Sequence, residues 1–383
     1  MPSNRSALTG AKKIAAEGLT FDDVLLLPGH SSVRRSQVDL TTQLHPSIVL
    51  KLPILSSPMD TVTEESMLVA MAQAGGLGIV HRNIAVAQQA AIVERAKKAK
   101  ILDKTVASRD ARGRLLVGAA IGAGADMEER VRALLDAETD VIVVDSGHGD
   151  SVYITDAVRA IKKLRRSQVV MAGNVATSEG ARSLIAAGAD ILRVGVGPGS
   201  ICTTRIVTGV GAPQLFAVME AVRGAKGKKV TLVADGGIRQ MGDMAKALAA
   251  GAHAVMLGSM LAGHDEAPGE ALTVEGKAYK RYRGMGSIGA MKKGGAERYG
   301  QSRETPEKKL IAEGVEGLVP SKGAVGDFLY QAGGALRSAL YYVGAKNLKE
   351  FHAKSRFVRI TNAGLRESHP HTITVTSAGA SYL

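Results

Sequence analysis

Cys202 has the clearest capacity for chemistry, because it is the only cysteine in a chain of 383 residues. It lies in the glycine-rich stretch GVGPGSICTTRIVTGVG, residues 195–211. A cysteine thiolate is a strong nucleophile, and a glycine-rich backbone can approach a planar ligand closely and rearrange around it. A cysteine can equally serve as a small buried hydrophobic residue. A single cysteine forms no internal disulfide and suits a reducing compartment.

Further polar residues stand in short motifs, each directly after a predicted strand. If these strands are the parallel strands of a barrel, their carboxyl ends meet at one face, where active sites are assembled. The concentration of Asp, Asn, Ser and Cys at these positions therefore favours a functional role over a structural one. The motifs are SSPMD, DSGHG, GNVAT, GPGSICTT, DGGI and GSM.

The elements that must position these motifs alternate along the chain from about residue 52. Continuous apolar runs are typical of parallel strands buried on both faces, and the Ala-rich amphipathic stretches between them predict helices, several of which end in Gly. Eight such units predict an α/β fold, a single (β/α)8 TIM barrel over residues 1–383, with an open doubly wound sheet as the alternative. The predicted strands are 53–57, 76–81, 115–121, 141–146, 168–173, 191–196, 231–236 and 254–259.

Two segments fit no β/α unit. The N-terminal extension GLTFDDVLLLPGHS, residues 18–31, is expected to pack as a plug or an edge strand. Residues 263–325, inserted after the eighth strand, are rich in Gly, Lys, Arg and Glu. Long insertions of this kind are usually functional lids or disordered, so we expect a mobile flap over the active site.

Composition and charge limit the possible partners. The formal net charge is +13, but the basic residues are spread out and aromatic residues make up only 3% of the chain. Nucleic acid is therefore not expected to be the primary partner, and an anionic small ligand or a solvated basic surface accounts for the charge better. The sequence has neither a signal-peptide pattern nor an apolar run of membrane-spanning length. We expect a cytoplasmic protein without a membrane partner.

Ten phrases of the sequence closely resemble the IMP dehydrogenase / GMP reductase family, in particular the bacterial IMP dehydrogenases. The resemblance runs in order from about residue 17 to the end of the chain, and its Cys-loop and YRGMGS phrases are highly specific. The phrases are LTFDDVLLLPG, SSPMDTVTE, GGLGIVHRN, VDSGHG, GNVATSEGA, LRVGVGPGSICTTRIVTGVG, VADGGIR, LGSMLAG, YRGMGSIGAM and ESHPHTITVT.

The resemblance implies an NAD-dependent oxidoreductase that converts IMP to XMP with NAD+ and water, the committed step of guanine nucleotide synthesis. It makes Cys202 the nucleophile that adds to C2 of the hypoxanthine ring, giving a tetrahedral adduct that can expel hydride. Thr204 would help to handle the proton of the attacking water, and Arg298 and Tyr299 would activate that water. Because arginine normally stays protonated, either a small neutral fraction of Arg298 acts as the base or Arg298 only orients the water.

The resemblance also implies binding roles at the barrel mouth. Asp235 would chelate the ribose hydroxyls, while Gly147 stands where the family often has Ser or Ala. The phosphate would be held by Ser200, Gly237, Gly258, Ser259 and Tyr282, the base by Ser57, Met59, Gly284, Met285, Gly286 and Glu313, and the nicotinamide side of the cofactor by Asp145, Ser146, Asn174 and Arg193.

A monovalent cation, K+ in the family, is implied as a second cofactor. Main-chain carbonyls would hold it, because a ring of carbonyls suits a weakly hydrated ion of low charge. A neighbouring subunit would complete the ring, so the resemblance implies a homotetramer with cation and cofactor sites near the subunit edges. The implied ligands are Gly197, Gly199 and Cys202 from one subunit and Glu367, Ser368 and His369 from the next.

One departure from the family pattern lies at residues 84–114. Many family members insert a pair of regulatory CBS modules between the second and third β/α units. Only about 30 residues separate GIVHRN from LLVGAAIG here, which is too few for two modules. We therefore expect a catalytic barrel with a short linker at this point and without control by nucleotides through that module.

Two other functions compete with IMP oxidation. GMP reductase shares the barrel, the Cys loop and the nucleotide site, but it uses NADPH, lacks the Arg-Tyr pair and has a shorter flap. A non-catalytic nucleotide- or RNA-binding barrel would account for the net charge, yet it would be expected to have lost the nucleophile or the flap pair. Cys202, Arg298 and Tyr299 are all present, which favours the dehydrogenase.

Overall fold

The computed structural model describes residues 13–302 and 304–377, and its centre is a closed barrel of eight strands. Every neighbouring pair in the barrel is parallel, and the order around it follows the chain from β4 to β11. The (β/α)8 barrel and all eight predicted strands are confirmed, and the open sheet is wrong. The strands are β1 Val24–Leu26, β2 Thr42–His45, β3 Ile48–Leu50, β4 Ile54–Ser56, β5 Leu77–Val80, β6 Val117–Ile121, β7 Val141–Asp145, β8 Val169–Val175, β9 Ile191–Val194, β10 Thr231–Asp235, β11 Ala254–Leu257, β12 Leu272–Val274, β13 Lys277–Arg283, β14 Glu316–Pro320 and β15 Phe357–Arg359.

Helices cover the outside of the barrel between successive strands. In α4, for example, Ile154, Ala157, Val158 and Ile161 recur at helical spacing and form the buried face. The helices are α1 Glu65–Gln73, α2 Val86–Lys98, α3 Met127–Asp136, α4 Val152–Leu164, α5 Ser178–Ala187, α6 Thr204–Thr208, α7 Gln214–Ala225, α8 Met241–Ala249, α9 Ser259–Ala262, α10 Ile288–Ala290, α11 Val325–Val343, α12 Leu348–Lys354 and α13 Asn362–Glu367.

The barrel strands are apolar throughout because both of their faces are buried. In β7, Val141 and Val143 point into the barrel, whereas Ile142 and Val144 point toward the helices. The strand then ends at Asp145, the first polar side chain in it. This change from apolar to polar at the carboxyl end is what places charged groups at the mouth.

A hairpin formed by β2 and β3 closes the amino-terminal end of the barrel. Leu44, Ile48 and Leu50 of the hairpin are buried in the same cluster as the inward-facing residues of the barrel strands. The plug is therefore formed by residues 42–50 and not by residues 18–31, the segment in which it was expected. The expected edge strand is confirmed, since β1 pairs antiparallel with β15.

The flap, residues 263–325, is folded around a three-stranded antiparallel sheet of β12, β13 and β14. Its tip is a series of helical turns with a small core of Met291, Ala296 and Leu310. The flap is therefore a structured lobe that projects from the barrel after β11. Its mobility stays a prediction.

The connection between the second and third barrel units is short and firmly attached. Residues 86–98 form the barrel helix α2, so the connection itself is residues 99–116. The Lys97 ammonium, whose side chain is 3% exposed, lies 2.9 Å from Asp110 Oδ2 and 2.8 Å from Asp140 Oδ2. Within the described residues, no helix is long and apolar enough to cross a membrane.

We predict that Leu44→Ala lowers the free energy of unfolding by about 2–5 kcal/mol, because it leaves a cavity where the hairpin fills the barrel. Val49→Ala in the same hairpin is the matched control, since Val49 is 37% exposed. Urea or thermal unfolding measures both variants. Equal stability of the two variants would contradict the role of the hairpin as a plug.

Candidate active site

A pocket opens at the carboxyl ends of the barrel strands, between the barrel and the flap. Its wall comes from the ends of β4, β7, β8, β9, β10 and β11 and from the flap. The structure brings most of the predicted site residues together in it. These are Ser57, Met59, Ser146, Asn174, Arg193, Gly197, Gly199, Ser200, Cys202, Thr204, Asp235, Gly237, Gly258, Ser259, Tyr282, Gly284, Met285, Arg298, Tyr299 and Glu313.

Cys202 lies in the loop between β9 and α6 and is part of a hydrogen-bonded chain. Its thiol donates to Thr204 Oγ1 over 3.2 Å, and the Thr204 hydroxyl donates to Glu313 Oε2 at 2.7 Å. A thiol, a hydroxyl and a carboxylate in this order form a path along which a proton can move. The sequence predicts Thr204 in a proton-handling role beside Cys202, but it predicts Glu313 only as a contact for the purine base.

The flap holds the Cys202 loop through its main chain. The Thr203 amide donates to the Glu313 carbonyl at 2.9 Å, and the Val315 amide donates to the Ile201 carbonyl at 3.0 Å. These two bonds enclose Cys202 on both sides, as a short antiparallel bridge with residue 314. The position of the thiol therefore depends on the flap as well as on the barrel.

Four charged side chains form a buried network across the mouth. Arg193 donates to one oxygen of Asp145, and its Nε donates to Asp235 Oδ2 at 2.8 Å. Arg298 from the flap donates to the other oxygen of Asp145. Two positive and two negative charges balance, as buried charges require. Asn174 also donates to Asp235 Oδ2 at 2.8 Å, which leaves Oδ1 for a ligand in the pocket.

The pKa values in the network follow from these charges. Burial alone would raise the pKa of Asp145, but Arg298, Arg193 and Arg82 outweigh it and hold that pKa below its usual value. Burial alone would lower the pKa of Arg298, but Asp145 outweighs it and raises that pKa. Burial raises the pKa of the Tyr299 phenol. Both flap residues therefore stay protonated near neutral pH, which suits them to orienting a water molecule.

The predicted phosphate corner is closely packed around Tyr282. Its hydroxyl is buried beside Ser200, and burial raises its pKa. A Cβ on Gly258 would lie 3.0 Å from that hydroxyl and 3.3 Å from Met59 Sδ, so a larger residue would crowd the corner. Gly237 has a φ of +76°, a conformation that glycine adopts readily.

A few predicted residues do not line the pocket. Asp145 lies directly behind the wall in the charge network. Gly286 is behind Tyr299, whose Cζ would be 2.7 Å from a Cβ at this position. Residues 367–369, at the end of α13, are not part of the pocket wall in the described chain. Their predicted role is in a neighbouring subunit, and it stays a prediction.

Two residues that support the site were not singled out from the sequence. Arg239 lines the pocket and pairs with Asp22. It is the last residue of the VADGGIR phrase, so the resemblance could have indicated it. Gln214 is fully buried, and its Nε2 donates to the carbonyls of Val194 at 2.9 Å and Asp235 at 3.0 Å. It joins the ends of β9 and β10, and no sequence pattern pointed to it.

Comparisons with known proteins show the family of this chain. A sequence model of the IMP dehydrogenase / GMP reductase domain matches residues 18–371. The chain is 41% identical to the inosine-5'-monophosphate dehydrogenase of Rhizobium tropici, over 94% of this chain and 95% of that protein. This chain belongs to the IMP dehydrogenase / GMP reductase family. It is also 41% identical to the Aquifex aeolicus inosine-5'-monophosphate dehydrogenase, over 97% and 98% of the two chains.

Members of the IMP dehydrogenase / GMP reductase family differ in length. The alignment with the Rhizobium tropici protein spans 473 positions, more than the 383 residues of this chain, so that protein carries residues that have no counterpart here. The Borreliella burgdorferi inosine-5'-monophosphate dehydrogenase, 42% identical over 94% of this chain and 98% of that protein, aligns over only 398 positions. This chain is similar in length to the shorter kind.

We predict that Gly286→Ala loosens the flap, whereas Gly147→Ala leaves it docked. A Cβ on Gly286 would lie 2.7 Å from Tyr299 Cζ, which forces the ring to move, but a Cβ on Gly147 would lie 3.5 Å from the same ring, an ordinary contact. Limited trypsin digestion at the flap lysines measures local opening. We expect faster cleavage of Gly286→Ala than of the parent, and no change in Gly147→Ala. Equal cleavage of the two variants would contradict the packing argument.

Proposed function

We propose that this chain oxidises IMP to XMP with NAD+ and water. The observation that carries the proposal is that one pocket holds both Cys202, in contact with Thr204 and Glu313, and the flap pair Arg298 and Tyr299. Cys202 can form and break a covalent adduct, Thr204 and Glu313 can carry a proton, and the flap pair can orient water. The relatives named inosine-5'-monophosphate dehydrogenase support the same assignment.

In the first half of the reaction Cys202 acts as the nucleophile. Its thiolate adds to C2 of the hypoxanthine ring, a C–S bond forms, and C2 becomes tetrahedral. Loss of the C2 hydrogen as hydride then oxidises the ring and leaves it bound to Cys202. Asp235 Oδ1, with Oδ2 already held by Arg193 and Asn174, is positioned to bind the ribose hydroxyls during this step.

The residues on the cofactor side fit a nicotinamide. NAD+, when bound, supplies the hydride acceptor. Asn174 Oδ1 is buried and has no hydrogen-bond partner among the described residues, so it can accept from a carboxamide N–H group. Ser146 also lines the pocket, and Asp145 lies behind it. Arg298 of the flap is bonded to Asp145 in this structure. We therefore propose that the docked flap and the bound cofactor take turns at this position.

In the second half of the reaction, water displaces Cys202 from the oxidised ring. A hydroxide equivalent adds to C2, the C–S bond breaks, and the thiolate leaves. Arg298 and Tyr299 stay protonated, so we assign them to orienting the water. We assign the proton to Glu313, received through the Thr204 hydroxyl at 2.7 Å, because a carboxylate can act as a general base. This adds a role to the base contact expected for Glu313.

We further propose that K+ binds on the turn that carries Cys202. Gly197, Gly199 and Cys202 all line the pocket on this turn, and the Cys202 amide donates to the Gly199 carbonyl at 3.1 Å, which folds the turn tightly. Carbonyl oxygens are suitable ligands for such a cation. Residues 367–369 of a neighbouring subunit would complete the ring, in a homotetramer.

A turnover assay separates this proposal from the GMP reductase alternative. IMP with NAD+ and K+ should give reduced cofactor, at a lower rate when Li+ replaces K+, and GMP with NADPH should not react. Reaction only with GMP and NADPH would identify the reductase.

We predict that Cys202→Ala abolishes turnover while IMP affinity stays within roughly an order of magnitude, because phosphate and ribose contacts carry most ground-state binding. Substantial residual activity of Cys202→Ala would exclude covalent catalysis.

We predict that Arg298→Ala and Glu313→Gln both spare the first half of the reaction and slow the second. Each should give a burst of reduced cofactor near one equivalent per active site, followed by turnover reduced by about 10² to 10⁴. The Cys202 adduct should accumulate and be trapped by acid quench with labelled IMP. Loss of the burst in Arg298→Ala would contradict its role in hydrolysis. Turnover of Glu313→Gln within about tenfold of the parent would place the proton acceptor elsewhere.

A further inference from the structure

A second ion pair joins strand β13 of the flap to the barrel. Arg283, the last residue of β13, donates its Nε to Asp60 Oδ1 at 3.0 Å and a terminal N–H to Asp60 Oδ2 at 2.6 Å. Asp60 belongs to the loop after β4, and its side chain is 7% exposed. This two-pronged geometry fixes the relative orientation of the two groups as well as their distance.

Neighbouring groups hold the same contact in place. Asn83 Nδ2 donates to Asp60 Oδ2 at 3.1 Å, and the Arg283 amide lies 3.3 Å from Thr61 Oγ1, to which it donates. Burial alone would raise the pKa of Asp60, but the hydrogen bonds and charge of Arg283 outweigh it and lower that pKa. The carboxylate therefore remains charged, and the contact remains an ion pair.

The Asp60–Arg283 pair connects two walls of the pocket. The pocket is lined by Met59, which precedes Asp60, and by Gly284, which follows Arg283. A Cβ on Gly284 would lie 3.1 Å from the Ile201 carbonyl, so this glycine packs directly against the loop that carries the nucleophile. Met59 and that loop line the same pocket, so a flat ring between them would present an edge to the thiol.

We propose that Asp60 and Arg283 form a positioning pair that sets the width of the slot for the purine base. The inference rests on the proposed function, because it assigns this slot to the base of IMP. Neither side chain lines the pocket, so the pair acts through Met59 and Gly284. The ribose ligand Asp235 is held by Arg193 and Asn174, which belong to other elements. Tyr282 precedes Arg283 and contacts Met59, but the predicted phosphate ligands also include Ser200, Gly237, Gly258 and Ser259, so ribose 5-phosphate should depend less on the pair.

The test compares IMP with ribose 5-phosphate, which lacks the base, by calorimetry on the resting enzyme. Arg283→Lys keeps the charge and loses the two-pronged contact, and Asp60→Asn keeps the shape and loses the charge. We expect each variant to bind IMP about tenfold more weakly and ribose 5-phosphate within about twofold of the parent. The double variant should be no weaker than the worse single variant, because both substitutions remove one interaction.

Asp110→Asn is the matched control. It removes a buried ion pair with Lys97 at the opposite end of the barrel, so it should leave the binding of both ligands unchanged. In turnover, KM for IMP should rise with the loss of affinity in the Asp60 and Arg283 variants while kcat stays within about threefold. Unchanged IMP binding in Arg283→Lys, or equal weakening of both ligands, would overturn the inference and leave the proposed function intact. Failure of the parent enzyme to bind IMP would overturn both.

Discussion

The balance of charge at the barrel mouth is the constraint on which the site depends. A buried carboxylate or guanidinium without a partner costs several kcal/mol, so Asp145, Arg193, Asp235 and Arg298 must be placed together. Three of them end or nearly end barrel strands, and the fourth comes from the flap. If the flap undocks, as we propose, Asp145 would keep its contact with Arg193. The network would then release the flap without leaving a carboxylate unpaired, which is what reversible docking requires.

Much of this arrangement could be predicted from the sequence because barrel strands carry a strong signal. A strand such as β7 is apolar on both faces and then ends at Asp145. Both the strand and the polar residue at its end can therefore be predicted from the sequence. Once the topology is a barrel, all such positions meet at one mouth. Cys202, Asn174 and Asp235 could therefore be assigned to one site before any contact was known.

The rest could not be predicted, because it depends on contacts between distant parts of the chain. Thr204 and Glu313 are 109 residues apart, and Asp60 and Arg283 are 223 residues apart. Helix and strand periodicity relates only residues that are close in the sequence, so it could not predict either contact. The plug hairpin at residues 42–50 is too short for its alternation to stand out. The protonation of Arg298 also depends on such a contact, since its charge is maintained by Asp145 from another element.

The hairpin at the amino-terminal end gives the barrel a floor. The inward-facing side chains of the strands pack the barrel interior, and Leu44, Ile48 and Leu50 cover that core at its amino-terminal end, so the pocket opens at the carboxyl ends of the strands. Under the proposed function, nucleotide and cofactor would therefore both enter from this side, and water would reach the adduct only after the reduced cofactor has left. The flap lies over that mouth, so under the proposal its docking would decide which molecule reaches Cys202.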